Sequence, residues 1–417
     1  MIGGRGGRQG LQIRGRSCSA PDVKCLEYRI SRLLRRILWG LALLVLVAAA
    51  AAVWKREEIG RLLAVNSLFS ADKIVQNFSH MDALFLTRQL SRGDAAVSPL
   101  PDAVAASLPP QVDGWIKDRA VTGLVVLKFG KIVHQSYYLG TGPEDLRISW
   151  SVAKSFLSAL FGVVLAEGAV ASLDDPVVMY APSLVGSAYD GVTVRNVLTM
   201  STGVKFNEDY FDFNSDINKM GRVLALGGSM DAFAASLKTR ETEPGTVWHY
   251  VSIDTHVLGM VIRGATGKSI AELMESRILA PMGLEAAPYY VTDGEGESFV
   301  LGGLNLRTRD YARFGQMVLQ SGSWQGRQVV PARWLAAATA PQAPGGAAYG
   351  YQWWIPPAAS PAASPGEVMA QGVYGQYIYI NPKLGVVIAV NAADRGFEDP
   401  GVEEGNLAIF RAIAAGL

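Results

Sequence analysis

Cysteine is almost missing from this chain. Of 417 residues only Cys18 and Cys25 are cysteines, and both lie near the start. Everything after Cys25 folds without a disulfide and works without a thiol nucleophile or thiolate ligand. Histidine is scarce too, with His80, His134, His249 and His256 as the four. Only His249 and His256 lie close together, and no third ligand stands nearby, so neither a zinc site nor any other metal is expected. No Gly-x-Ser-x-Gly occurs, so the strand–turn–helix nucleophile elbow is not used. Gly264-Ala265-Thr266-Gly267-Lys268-Ser269 imitates a phosphate loop, but the first required glycine is replaced by Ile262. That stretch reads instead as a helix ending at Gly267 and a new N-cap at Ser269. No cofactor is expected.

Charge is low as well, at 18% of residues, and unevenly spread. Nine of the 38 basic and two of the 37 acidic residues fall within 1–36, giving +7 there. The remaining 29 basic and 35 acidic residues leave the rest at −6. A mildly acidic body is a poor partner for nucleic acid.

One long hydrophobic run is present. Ile37 to Trp54 has no charge and no proline, and Arg29, Arg32, Arg35 and Arg36 precede it. The run is long enough to span a bilayer, and the arginines keep the N-terminus cytoplasmic with the body outside. A cleavable signal peptide is the rival, with Ala48 to Ala52 as small residues for cleavage, but the region before it is long. An uncleaved single-pass anchor in the inner membrane is favoured. Gly3 to Arg8 reads as a flexible basic tail. The expected organisation is a basic cytoplasmic tail at 1–36, an anchor at 37–54, a linker or wrap at 55–110 and a catalytic domain at 111–417.

Within that domain, Leu124 to Phe129 and Ile132 to Tyr138 read as a hairpin turning at Gly130-Lys131. Tyr377 to Asn381 and Gly385 to Val390 flank Pro382-Lys383-Leu384 as a second hairpin, followed by a helix from about Val402 to Ala415. Helices and loops lie between. The expected fold is mixed α/β, an antiparallel sheet built from both chain ends with a helical insertion.

Chemistry centres on Ser151-Val152-Ala153-Lys154-Ser155-Phe156, which runs into an apolar helix stopping near Gly168. Residues three apart on a helix share a face, so Ser151 and Lys154 can touch. Serine needs a base to become a nucleophile, and burial favours the neutral form of lysine that can serve. Ser70-Ala71-Asp72-Lys73 fits the same spacing but precedes polar residues, and reads as coincidence. Tyr250 stands on a loop before a helix from about Asp254, and is open to ordinary packing or to shuttling a proton. Gly372 to Gln376 opens the C-terminal strand, either as a site for main-chain donors to a substrate carbonyl or as a plain bulge or turn.

In this order the stretches resemble the serine hydrolases related to class C β-lactamases, within the branch that includes the 6-aminohexanoate-dimer hydrolases. The resemblance spans about residues 78 to 415. It also draws on Phe78 to Arg88, Ser172 to Pro176, Asn207-Glu208-Asp209-Tyr210, Gly302-Gly303-Leu304 and Gly350 to Trp354. It implies a β-lactamase/penicillin-binding-protein-like fold, with Ser151 as nucleophile, Lys154 as general base and Tyr250 as proton carrier to the leaving group. It further implies an oxyanion hole from the Ser151 N–H and one near Gly375, and substrate contacts from Tyr210, with Ser252 and Tyr374 at neighbouring motif positions. Where true β-lactamases carry Lys-Thr-Gly, this chain has Val373-Tyr374-Gly375, so the cation that would hold a β-lactam carboxylate is missing. The expected function is hydrolysis of a small amide or ester through an acyl-Ser151. A cell-wall peptidase of the same fold and a membrane-anchored binding protein without turnover are the alternatives.

Overall fold

The computed structural model describes residues 23–358 and 363–417. Two compact units divide the chain, one ending at Ile59 and one running from Gly60 to Leu417. In the first, a single helix covers Val23–Trp54, and its stretch Leu26–Trp54 is long and apolar enough to cross a membrane. The helix starts well before the uncharged run, because neither proline nor glycine interrupts Val23 to Leu38. The tail expected over 1–36 is thus helical from Val23; Gly3 to Arg8 and Cys18 lie outside the described residues.

The second unit is built on a five-stranded antiparallel sheet. Its strands run, edge to edge, Lys131–Tyr137, Val121–Lys128, Val386–Ala392, Gln376–Asn381 and Val368–Gly372. Both chain ends contribute, as the hairpin signals require. Side chains alternate between two cores. Val125, Leu127, Ile378, Ile380, Val387 and Ala389 join the main core with the helices Val152–Ala166 and Thr308–Leu319. Leu124, Val126, Tyr377, Tyr379, Ile388 and Val390 face the helices Gln111–Asp118 and Val402–Ala415 through Trp115 and Phe410. Covering on both faces explains why the strands read as continuous apolar runs. The result is the mixed α/β architecture anticipated from sequence.

Several details shift. The first hairpin turns through Phe129 and Gly130, with φ of +49° and +76°, rather than Gly130-Lys131. Positive φ at both central residues matches the right-handed twist of the strands. Gly372 closes one strand and Gln376 opens the next, so Val373 to Gly375 form a hairpin turn instead of a strand opening. From Gly60 onward the expected linker is part of this unit. Leu68, Ile74, Phe78, Met81, Phe85 and Leu90 are buried in its main core, and Thr87–Gln89 pairs with Tyr289–Val291. That pairing belongs to a small second sheet, which also contains Leu304–Leu306 and Arg147–Ile148 and leads directly to Ser151.

Candidate active site

The chain leaves the strand Arg147–Ile148 with Ser149 N–H donating to Leu304 O at 2.8 Å. Trp150 then adopts φ +42°, a left-handed conformation that a tryptophan rarely takes. Such a residue costs on the order of 1–3 kcal/mol and persists where its surroundings hold it. Here Phe78 and Phe69 pack against the indole at centroid distances of 5.5 and 5.7 Å. Strand passes into helix over Ser149, Trp150 and Ser151. Ser151 is left half-buried at the head of Val152–Ala166, while Val152 through Val164 are buried.

Lys154 is 2% exposed. Its Nζ lies 2.9 Å from Ser151 Oγ, 3.2 Å from Ser252 Oγ and 3.0 Å from the Leu301 carbonyl oxygen. Burial lowers its pKa to about 7, outweighing the nearby carboxylates Glu208 and Asp254, which act to raise it. Neutral and protonated amine are then both accessible near pH 7, which suits a group that takes and returns a proton.

Tyr250 precedes the helix Ser252–Thr266 and stacks on Trp354 at 5.5 Å. Lys154 Nζ sits 5.2 Å from its ring centroid. Burial raises the phenol pKa above its ordinary value, opposed by the hydroxyls of Ser151 and Ser252. Glu208 ties this group together. Its carboxylate accepts the Ser252 N–H at 3.1 Å, the Tyr210 hydroxyl at 2.8 Å and the Ser252 hydroxyl. Behind it, Asp254 accepts the Tyr189 hydroxyl at 2.7 Å and the Thr202 hydroxyl at 3.0 Å. Burial raises the Asp254 pKa to about 8.

The turn after Val368–Gly372 closes the site. A Cβ at Gly372 would stand 2.9 Å from both Ser151 N and Ser149 O, so only glycine lets this strand end approach the serine. Among the described residues, neither the Ser151 N–H nor the Val373 N–H has a hydrogen-bond acceptor. Gly375 stands elsewhere. A Cβ there would meet Ala392 and Asp394, so within Gly372 to Gln376 the close approach to Ser151 is made by Gly372. Tyr374 has φ +59° and turns its ring into an aromatic cluster, 4.5 Å from Phe69 and 4.6 Å from Phe397.

Two cavities meet at Ser151. One is apolar and reaches from Ser151 past Tyr374 and Phe299 to Leu68 and Met220. The other is a polar cleft lined by Tyr250, Trp354 and Gln371, with Glu208, Glu398, Asp399, Glu403 and Glu404 along it.

The residues singled out in the sequence divide cleanly. Ser151, Lys154, Tyr250, Ser252 and Tyr210 come together, and Tyr374 joins them as a wall. The other Ser-x-x-Lys does not assemble: Ser70 Oγ donates to Ser67 O at 2.9 Å and Lys73 is exposed. Glu208 stands inside a motif singled out for Tyr210, and nothing else in the sequence marks it. The Leu301 carbonyl has none, being main chain.

These contacts rest on a recognisable frame. The family model named Beta-lactamase matches residues 116–409. The chain belongs to the beta-lactamase family. Among its relatives, a 6-aminohexanoate-dimer hydrolase from Paenarthrobacter ureafaciens is 28% identical over 336 residues, 75% of this chain and 83% of that protein. A penicillin-binding protein 4* from Bacillus subtilis is 26% identical over a shorter 140 residues, 34% of this chain and 30% of that one. Among solved structures, a Bacillus anthracis protein provisionally named a 6-aminohexanoate-dimer hydrolase superposes with a TM-score of 0.74 at 24% identity, covering 83% of this chain and 95% of that one. The octameric penicillin-binding protein homologue from Pyrococcus abyssi gives 0.53 at 23%, covering 72% and 75%. This beta-lactamase-family chain therefore shares its fold with hydrolases and penicillin-binding proteins alike, and in sequence it is related to 6-aminohexanoate-dimer hydrolase.

Proposed function

We propose that this beta-lactamase-family protein is a serine hydrolase that cleaves an amide or ester bond through an acyl-Ser151 intermediate. The observation that carries the reading is Lys154 Nζ at 2.9 Å from Ser151 Oγ, in surroundings that lower its pKa to about 7. Neutral Lys154 takes the Ser151 proton as Oγ attacks the carbonyl carbon. The N–H groups of Ser151 and Val373 receive the oxyanion. Tyr250 passes a proton to the departing amine or alcohol, and water then releases the acid from Ser151. Ser252 and Glu208 hold Lys154 and Tyr210 in place.

A cell-wall peptidase remains the second reading, supported by the penicillin-binding relatives. The turn Val373-Tyr374-Gly375 offers no cation for a substrate carboxylate, which favours neutral acyl compounds. A panel of p-nitrophenyl esters, linear amides, D-Ala-D-Ala peptides and a cephalosporin separates the readings. Ester turnover well above cephalosporin turnover is expected, and Ser151→Ala should abolish it. Efficient cephalosporin hydrolysis with little ester hydrolysis would sink the proposal, and absence of any turnover would leave a binding protein.

We further propose that Leu26–Trp54 anchors the chain in the inner membrane with the hydrolase unit outside the cytoplasm. The helix length and the arginines before its uncharged part support this. A reporter active only in the periplasm, fused after Ala120, should give signal. Signal from a cytoplasm-only reporter there would reverse the topology, and full release on alkaline extraction would favour a cleaved signal.

A further inference from the structure

We propose that the apolar cavity beside Ser151 is an acyl pocket, and that it selects substrates whose acyl group is an uncharged alkyl or aryl chain. The inference rests on the acyl-Ser151 reading above and adds the substrate class.

Orientation comes first. Ser151, Tyr210 and Val373 line both the cavity and the cleft, whereas Tyr250 lines the cleft alone. The leaving group takes its proton from Tyr250 and so departs through the cleft. The acyl chain must then lie on the other side of the Ser151 ester, in the cavity. Its Oγ–acyl bond forms as the carbonyl–leaving-group bond breaks, and water later regenerates Ser151 and frees the carboxylic acid.

The cavity walls set what that chain can be. Leu68 and Phe69 reach in from the N-terminal segment, Met220 and Leu224 from the helix Asp216–Ala225, and Phe299 and Tyr374 are also in the lining. Among the described residues, no Asp, Glu, Lys or Arg lines it. The donor groups of Asn218, Tyr210 and Ser252 are engaged, whereas the Trp150 indole N–H has no partner among the described residues and, as a donor only, cannot accept from an ammonium. Asn218 Nδ2 donates to the carbonyls of Tyr210 and Asp212 at 3.0 and 2.9 Å, and the hydroxyls of Tyr210 and Ser252 both donate to Glu208. No charged side chain lines the cavity to pair with a charged acyl group, and an unpaired buried charge is strongly disfavoured. The space free of atoms amounts to about 800 Å³, counting the solvent at its mouth.

The test uses the full-length protein and p-nitrophenyl esters of acetate, butyrate, hexanoate and 6-aminohexanoate. Each methylene added up to hexanoate should raise kcat/KM by up to about fourfold, the equivalent of burying one CH₂. Hexanoate should exceed 6-aminohexanoate, which differs by a terminal ammonium, by at least about tenfold. A fluorophosphonate label mapped to Ser151 runs in parallel. With Ser151 labelled, equal turnover of the two six-carbon esters, or a preference for acetate, overturns the pocket and leaves the acyl-serine reading intact. No label on Ser151 overturns both. The pocket itself is probed by Gly221→Leu. Gly221 lines the cavity, and a Cβ there meets nothing within 4 Å, so the new side chain grows into free space. The hexanoate-to-acetate ratio of kcat/KM should fall at least about fivefold. An unchanged ratio in a variant that still takes the label contradicts the proposal. If that variant does not fold, the wild-type ester series decides alone.

Discussion

Ser252 Oγ accepts a hydrogen bond from Lys154 Nζ at 3.2 Å while its own proton goes to Glu208. A carboxylate is thereby linked to the proposed base through one hydroxyl. Glu208 acts to raise the Lys154 pKa, and burial lowers it further than Glu208 restores it. The balance leaves the amine able to change protonation state during turnover.

The rate should report this balance. Only neutral Lys154 accepts the Ser151 proton, so kcat/KM should rise with pH through a limb near 7. Glu208→Gln removes a group that raises this pKa, so the limb should move to lower pH. A limb that stays in place, or moves upward, contradicts the link.

Stability carries the same signature with a defined sign. The folded Lys154 pKa of about 7 lies below its ordinary 10.5. Between these values the unfolded chain holds a proton that the folded chain has released, so this group makes stability rise with pH. Asp254 works oppositely. Its folded pKa of about 8 lies above its ordinary 3.8, so it makes stability fall as pH rises through that window. In urea titrations, the wild-type unfolding free energy minus that of Lys154→Met should climb from pH 7 to 10, and minus that of Asp254→Asn should drop from pH 4 to 8. Flat differences would remove the buried titrations from the account.

Tyr250→Phe keeps the stacking on Trp354 and removes the proton donor. The rate should fall ~10²–10⁴-fold, more on an amide than on a p-nitrophenyl ester, because the amine needs its proton to leave. Equal losses on both substrates would assign Tyr250 to packing.

Much of this was legible in the sequence. Strands from both chain ends and the helix Val402–Ala415 follow from apolar runs bounded by turn residues. Ser151 and Lys154 meet because helical spacing is fixed by covalent geometry. What escaped depends on contacts distant in sequence. The segment after Gly60 reads as a linker, since Leu68, Phe78 and Met81 show their burial only when the core they complete is present. The approach at Gly372 rests on contacts with Ser149 and Ser151, more than 200 residues earlier in the chain. Trp150 gives no local sign of its left-handed φ, because packing imposes it against local preference.

Gly372→Ala tests that approach. The added Cβ would press on Ser151 N and Ser149 O, both main-chain atoms with little room to yield. Removing one oxyanion donor typically costs ~10²–10³ in kcat, and a displacement of this turn should approach that loss. Fluorophosphonate labelling should slow with it. Activity within about twofold of wild type would show that the turn does not position the substrate carbonyl.

Acylation of Ser151 is the step on which the other roles depend. Mass spectrometry of the fluorophosphonate-labelled full-length protein, digested and mapped by peptide, addresses it directly. A single adduct on the peptide containing Ser151 is expected, lost in Ser151→Ala and strongly slowed in Lys154→Met. An adduct on the peptide containing Ser70, or continued ester hydrolysis with Ser151 unlabelled, would contradict it.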